Sequence, residues 1–239
     1  MEEKDLYFVG DIHGEYRTIT WIITQQHKLR NANIVFLGDI GIGFCKSAYY
    51  NQIFKRINAQ LEERDITYYF MRGNHDNKEY WDAEDLLDSF PRIKFLKDHK
   101  VVELSGKTIY PIGGATSIDY EWRKKYNKEL EEYYGSSKRV WWDTEDIEKK
   151  YKDLPRVVDI IVSHTSPLGF EPVIMRFPGE LEEVYNRDLE NRKYLDYIFR
   201  EVRCKYWYFG HYHTSLTGSL EDVIYKCLDI NELYMFRGL

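Results

Sequence analysis

The chain has 239 residues, 43% hydrophobic and 31% charged, and its 34 basic against 40 acidic residues leave a net charge of -6. That apolar share is enough for a real core and excludes disorder throughout. The acidic balance excludes bulk attraction to polyanions, so a nucleic-acid partner would need a local basic patch or a metal.

In chain order, short β-rich apolar runs end in polar clusters. Residues 6–9 run into Gly10-Asp11-Ile12-His13-Gly14, residues 34–37 into Gly38-Asp39, and residues 67–71 into Arg72-Gly73-Asn74-His75-Asp76. Residues 157–162 run into Ser163-His164, and residues 206–209 into Gly210-His211-Tyr212-His213. Such continuous runs read as strands buried on both faces. Apolar residues at helical spacing predict helices over 16–29, 47–63 and 187–203. Strands alternating with helices predict an α/β fold with largely parallel pairing. Further runs at 101–104, 108–112, 223–228 and 233–236 lack intervening helices, which predicts antiparallel meanders and a second sheet.

Residues 119–153 differ from their surroundings: 19 of the 35 are charged. The segment reads as a surface-exposed helical insertion or lid within one domain spanning 1–239, or more plainly as a solvated connection. Its Lys124, Lys125, Lys128, Lys138 and Arg139 form a basic patch or pair along the helix with neighbouring glutamates. Its Trp122 and Trp141 either stack a nucleobase or pack into the core. The apolar runs fall far short of the ~20 residues of a membrane span. No basic and apolar leader opens the sequence. Cys45, Cys204 and Cys227 form no disulfide or zinc pattern, so a reduced, cytoplasmic setting is expected.

Of the 7 histidines, His13, His75, His164, His211 and His213 follow directly on predicted strands. Ligands of open α/β sheets bind beyond the carboxyl ends of the strands, so these residues are expected at one edge together with Asp11, Asp39 and Asn74. Imidazole and carboxylate suit a divalent transition metal without any thiolate. Asp11, His13, Asp39, Asn74, His164, His211 and His213 are too many for one ion held by three or four groups. Two ions about 3.5–4 Å apart, with Asp39 as the bridging carboxylate, would use them all. The residue left over is His75, placed to reach over such a site.

Taken together, Asp11-Ile12-His13-Gly14, Gly38-Asp39, Gly73-Asn74-His75-Asp76, Ser163-His164 and Gly210-His211-Tyr212-His213 resemble the ordered motifs of the calcineurin-like metallophosphoesterase superfamily. The resemblance implies a four-layer α/β–β/α sandwich of two mixed sheets flanked by helices. It also implies a phosphatase or phosphodiesterase that holds two divalent cations and uses a bridging hydroxide for in-line attack on phosphorus. Manganese is the first choice of metal; iron and zinc also suit the donors. The resemblance assigns Asp11, His13, Asp39 and His213 to one cation, and Asp39, Asn74, His164 and His211 to the other. His75 would then face the leaving-group oxygen. The segment Gly113-Gly114-Ala115, with Ser117, Asp119, Arg123 and Trp141-Trp142, resembles a bacterial and phage subgroup.

One departure bears on substrate. Where Ser/Thr protein phosphatases of the superfamily continue Gly-Asp with a second Asp and an Arg, this chain has Ile42 and Gly43. That counts against the phosphoprotein phosphatase reading. It leaves Asp76 to orient His75, and Arg17, Arg72 or Arg123 to contact phosphate. The expected partner is a phosphorylated small molecule, nucleotide or other phosphoester, with no membrane and no obligate protein partner. The competing reading is a non-catalytic protein-binding scaffold of the same fold.

Overall fold

In the computed structural model, which describes residues 3–83, 87, 89–135, 139–170 and 182–238, the strands form two sheets. The first has the order β11-β1-β2-β3-β4 and the second β5-β6-β7-β8-β10-β9. In the first, β1 (Asp5–Val9), β2 (Ala32–Phe36), β3 (Ile66–Phe70) and β4 (Ile93–Phe95) pair in parallel, and β11 (Leu233–Met235) lies antiparallel to β1. In the second, β6 (Lys107–Ile112), β7 (Ile160–Ser163), β8 (Tyr206–Phe209) and β10 (Val223–Cys227) are parallel neighbours. Two antiparallel edge strands close it, β5 (Val102–Leu104) and β9 (Leu216–Leu220).

Side chains alternate between faces along a strand, and here both faces are apolar. Tyr7, Val9, Ile34 and Phe36 enter a core under α1 (Tyr16–Trp21) and α2 (Ser47–Arg64), together with Trp81 of the short α3 (Glu79–Asp82). Their neighbours Leu6, Phe8, Val35 and Leu37 enter a second core, shared with Ile160, Val162, Tyr206 and Tyr208 of the other sheet. The remaining faces of that sheet, with Ile161, Trp207 and Phe209, meet Tyr194, Leu195 and Ile198 of α5 (Glu182–Glu201) in a third core. Three cores make four layers, helix–sheet–sheet–helix, so the expected sandwich is present.

Several details differ from the sequence reading. The first predicted helix stops early. After Trp21 the chain widens into a π-helical turn over Ile22–Gln26, and Lys28 adopts a left-handed φ of 53° that ends it. The meander expectation holds only for the edges, because β6 and β10 pair in parallel with β7 and β8 through crossovers. The sequence reading passed over β4 and β9, a three-residue strand and an edge strand whose side chains alternate between half-buried and exposed.

The charged segment is helical only over α4 (Tyr120–Tyr134). Farther along, Trp142, Glu145 and Ile147 are buried, so this stretch packs inward. Lys138 lies outside the described residues. Trp122 stacks on Tyr126 at 5.1 Å on the exposed side of α4, and Trp141 stands edge-on to Tyr120 at 5.2 Å. No helix among the described residues is long and apolar enough to cross a membrane.

Candidate metal centre

The segments that follow β1, β2, β3, β7 and β8 meet at one end of the two sheets. Four of the residues they carry, His13, Asp39, His211 and His213, have left-handed φ values of 43°, 49°, 68° and 48°. Non-glycine residues persist in that region only where the surroundings over-determine them, commonly at functional sites. Close approach is enforced at Gly210 as well, where a Cβ would collide with the Asp11 carboxylate.

Asp11, Asp39, Asn74 and His164 are buried, whereas His75 and His211 are half-buried and His13 and His213 reach solvent. On the solvent side of the cluster, His213 Nε2 lies 3.2 Å from Asp11 Oδ2 and 3.1 Å from His13 Nε2. On the buried side, His164 Nε2 lies 3.1 Å from Asp39 Oδ1 and 2.9 Å from Asn74 Oδ1. The His211 ring stands 5.1 Å from that of His164. Asp39 reaches both sides: its other oxygen, Oδ2, is 3.9 Å from His13 Nδ1 and 3.8 Å from His75 Nε2.

Donor atoms bound to one cation at about 2.0–2.2 Å sit roughly 3–3.5 Å apart, close to the 2.9–3.2 Å spacings around His213 and His164. Among the described residues, Asp11, His13 and His213 form one three-residue group and Asp11, Asp39 and His164 another, each with donor atoms within 4.8 Å of one another. The donor set fits divalent cations. Asp11 belongs to both groups.

The electrostatics of the cluster's own side chains follow from burial and crowding. Burial alone pushes the Asp39 carboxyl up, but His164, His75 and His13 outweigh it and hold the group well below the usual carboxylate range. Burial lowers His164, yet Asp39 and Asp11 outweigh that and raise it to about 9. His211 is held well below the ordinary histidine value by burial and by His164. His75 is lowered by burial, partly opposed by Asp39.

Around these residues lies a ring of hydrogen bonds. His164 Nδ1 is 2.7 Å from the Leu37 carbonyl, and the amide N–H groups of His211 and His75 donate to Asp11 and Asp39. Asn74 Nδ2 donates to Ser117 Oγ at 2.9 Å, and Ser117 Oγ donates to Glu145 Oε2 at 2.6 Å. Arg187 lies 3.3 Å from the other Glu145 oxygen. Burial pushes the Glu145 carboxyl up to about 7. Sequence reading missed Glu145 entirely. A glutamate in a run of charges carries no signal until its neighbours bury it.

Two expectations are corrected. Asp76 does not hold the His75 ring: its carboxylate accepts four backbone N–H groups, from Ile40, Gly41, Ile42 and Gly73, at 2.8–3.1 Å. It staples the loop after β2 to the loop after β3. Nor does Arg72 face a substrate. It is fully buried, and its guanidinium donates to Asp98 and to the carbonyls of Gly113, Thr144, Glu145 and Asp146.

Arg17 is exposed on α1 and does not line the cavity that opens over the cluster. That cavity, of about 590 Å³, is bounded by His13, His75, His213, Phe44, Tyr49 and Arg123. Arg123 gives Nε to Asp119 and Nη1 to the Val140 carbonyl, and Nη2 makes no hydrogen bond among the described residues.

Carboxylates and imidazoles gathered at the strand ends of a two-sheet sandwich define a metal-dependent hydrolase. The chain belongs to the calcineurin-like phosphoesterase family, whose profile matches residues 5–215, and it acts on phosphoester bonds. Its fold is similar to that of phosphopantetheinyl hydrolase from Mycobacterium tuberculosis, with 14% identity, 98% of this chain and 96% of that one covered, and a TM-score of 0.50. TT1561 of Thermus thermophilus is similar at 12% identity over 98% and 99% of the two chains, with a TM-score of 0.49. No curated protein matches the sequence.

Proposed function

We propose that this protein is a dinuclear phosphoester hydrolase of the cytoplasm, loaded most readily with manganese. Asp11, His13, Asp39 and His213 would hold one cation, and Asp39, Asn74, His164 and His211 the other. The observation that carries this reading is the position of Asp39, with Oδ1 3.1 Å from His164 and Oδ2 3.9 Å from His13. A pair of cations supplies Lewis-acid neutralisation of the phosphoryl oxygens and makes water acidic enough to act as a nucleophile near neutral pH.

The chain's own groups do the rest. Arg123, on the rim of the cavity, has Nη2 to offer to a phosphoryl oxygen. His75 would donate a proton to the departing oxygen, so that an alcohol leaves in place of an alkoxide. Its ring sits 5.6 Å from that of His13, at the mouth of the cluster. Asp76 and the amides it binds keep the loops that carry Asp39 and His75 in register. No serine or cysteine nucleophile is required.

The test is hydrolysis by manganese-loaded protein in ¹⁸O water. One labelled oxygen is expected in the phosphate product, with about two metal ions per chain by titration. Product without label would exclude direct attack by water, and a stoichiometry of one would exclude the paired assignment.

A further inference from the structure

Two large aromatic side chains stand in the cavity over the histidine cluster without being buried by the protein: Phe44 is 37% exposed and Tyr49 45%. Both are held in place. Phe44 meets the indole of Trp142 edge-on at 5.0 Å, and Tyr49 meets Tyr50 edge-on at 5.4 Å. The loop that carries Phe44 is pinned by one hydroxyl: Tyr50 accepts the N–H groups of its two neighbours, Gly43 at 2.8 Å and Cys45 at 2.9 Å. At Gly43, φ is 119°, and a Cβ there would press on the same Trp142 ring, so glycine is what lets the loop lie against the indole. The Tyr49 hydroxyl makes no hydrogen bond among the described residues.

Preorganised aromatic walls beside a polar reaction centre have a physical use. Rings that are already fixed lose little entropy when a flat partner stacks on them. The volume of about 590 Å³ falls within the roughly 300–1,000 Å³ of small-molecule sites, more than a bare phosphate needs. A flexible alkyl chain would call for a closed apolar tunnel. Here the exposed rings are Phe44 and Tyr49, with Tyr16 and Tyr50 behind them and polar groups around them.

We propose that Phe44 and Tyr49 form a leaving-group subsite for a planar aromatic or heteroaromatic moiety, carried by a phosphoester whose phosphoryl group lies at the histidine cluster. The subsite rests on the hydrolase reading above, and it assigns a substrate class to that reading. The ring of the leaving group stacks between Phe44 and Tyr49, and the Tyr49 hydroxyl offers one hydrogen bond to a heteroatom on it.

The experiment compares benzyl phosphate with cyclohexylmethyl phosphate on the manganese-loaded full chain. Both release a primary alcohol, so the chemical step is matched and only the flatness of the ring differs. A kcat/KM about tenfold higher for the benzyl ester is expected, with the ratio falling toward one in Phe44→Ala and Tyr49→Ala. If Phe44→Ala does not fold, Phe44→Leu keeps an apolar group and removes the ring face. Equal kcat/KM for the two esters in the unmodified protein would overturn the subsite.

A second readout needs no turnover. Cys45, on the rim of the cavity, is the exposed cysteine, whereas Cys204 is half-buried and Cys227 buried. Benzylphosphonate, and not cyclohexylmethylphosphonate, is expected to slow thiol labelling at Cys45. That protection without hydrolysis of either ester would support the subsite and place the failure in the hydrolase reading. Hydrolysis of both esters at equal rates without selective protection would retain the hydrolase and overturn the subsite.

Discussion

The side-chain amide of Asn74 points two ways: Oδ1 lies 2.9 Å from His164 Nε2, and Nδ2 donates to the hydroxyl of Ser117 at 2.9 Å. Ser117 thereby fixes which atom of the amide faces the cluster. Groups behind metal ligands commonly set affinity by 10–100-fold. Ser117→Ala leaves a buried amide without its acceptor, so manganese affinity is expected to fall about tenfold or more. A metal-competition titration reads it, and unchanged affinity would show that Ser117 is only filling space.

Glu145 ties the pH dependence of stability to the same chain of bonds. Burial raises its pKa from the ordinary 4.5 to about 7, so between those values the folded state binds more protons than the unfolded one. Stability must fall as pH rises through that window and level off above it. Asp76 and Asp188, both raised to about 6, add to the same slope. In metal-free protein Glu145→Gln, which keeps an acceptor for Ser117, is expected to flatten the decline by about 1 kcal/mol or more between pH 5 and pH 8. Parallel urea-stability curves for the two proteins would contradict this.

Ligand binding to the folded state raises its stability by roughly 2.7 kcal/mol per site at a hundredfold excess over Kd. With both proposed sites filled, manganese is therefore expected to raise the Tm by about 10–20 °C over EDTA-treated protein. Asp39→Ala removes the carboxylate proposed to serve both cations and should abolish most of the increase. An equal shift in the variant, followed by scanning calorimetry, would place the cations elsewhere.

Arg72 and Asp98, 3.0 Å apart and nearly out of solvent, are expected to behave as structure. Arg72→Ala strands a buried carboxylate and several carbonyls, a loss of about 3–5 kcal/mol. A substrate-contact role would instead raise KM and leave the urea midpoint unmoved.

His75→Ala should lower kcat on alkyl esters by about 10²–10⁴-fold, with a smaller loss on aryl esters whose leaving groups need no proton. Metal stoichiometry should be unaltered, because the variant keeps every proposed ligand. Full activity on an alkyl ester would remove the general-acid role.

The sequence alone determined the strand-end motifs and the two-faced apolar strands that separate them. Both are local properties. A strand buried on both faces must be apolar throughout, and residues placed just beyond its carboxyl end go wherever that end goes. Tertiary structure decided what the remaining polar residues do. Nothing near Arg72 in the sequence names Asp98, Thr144 or Asp146 as its partners. The carboxylate of Asp76 looks like catalytic equipment until the loop after β2 closes on it. Glu145 and Ser117 become a support for Asn74 only when the segment after α4 packs inward. A hydrogen bond depends on ångström-scale approach between groups far apart along the chain, and composition and periodicity hold no record of that distance.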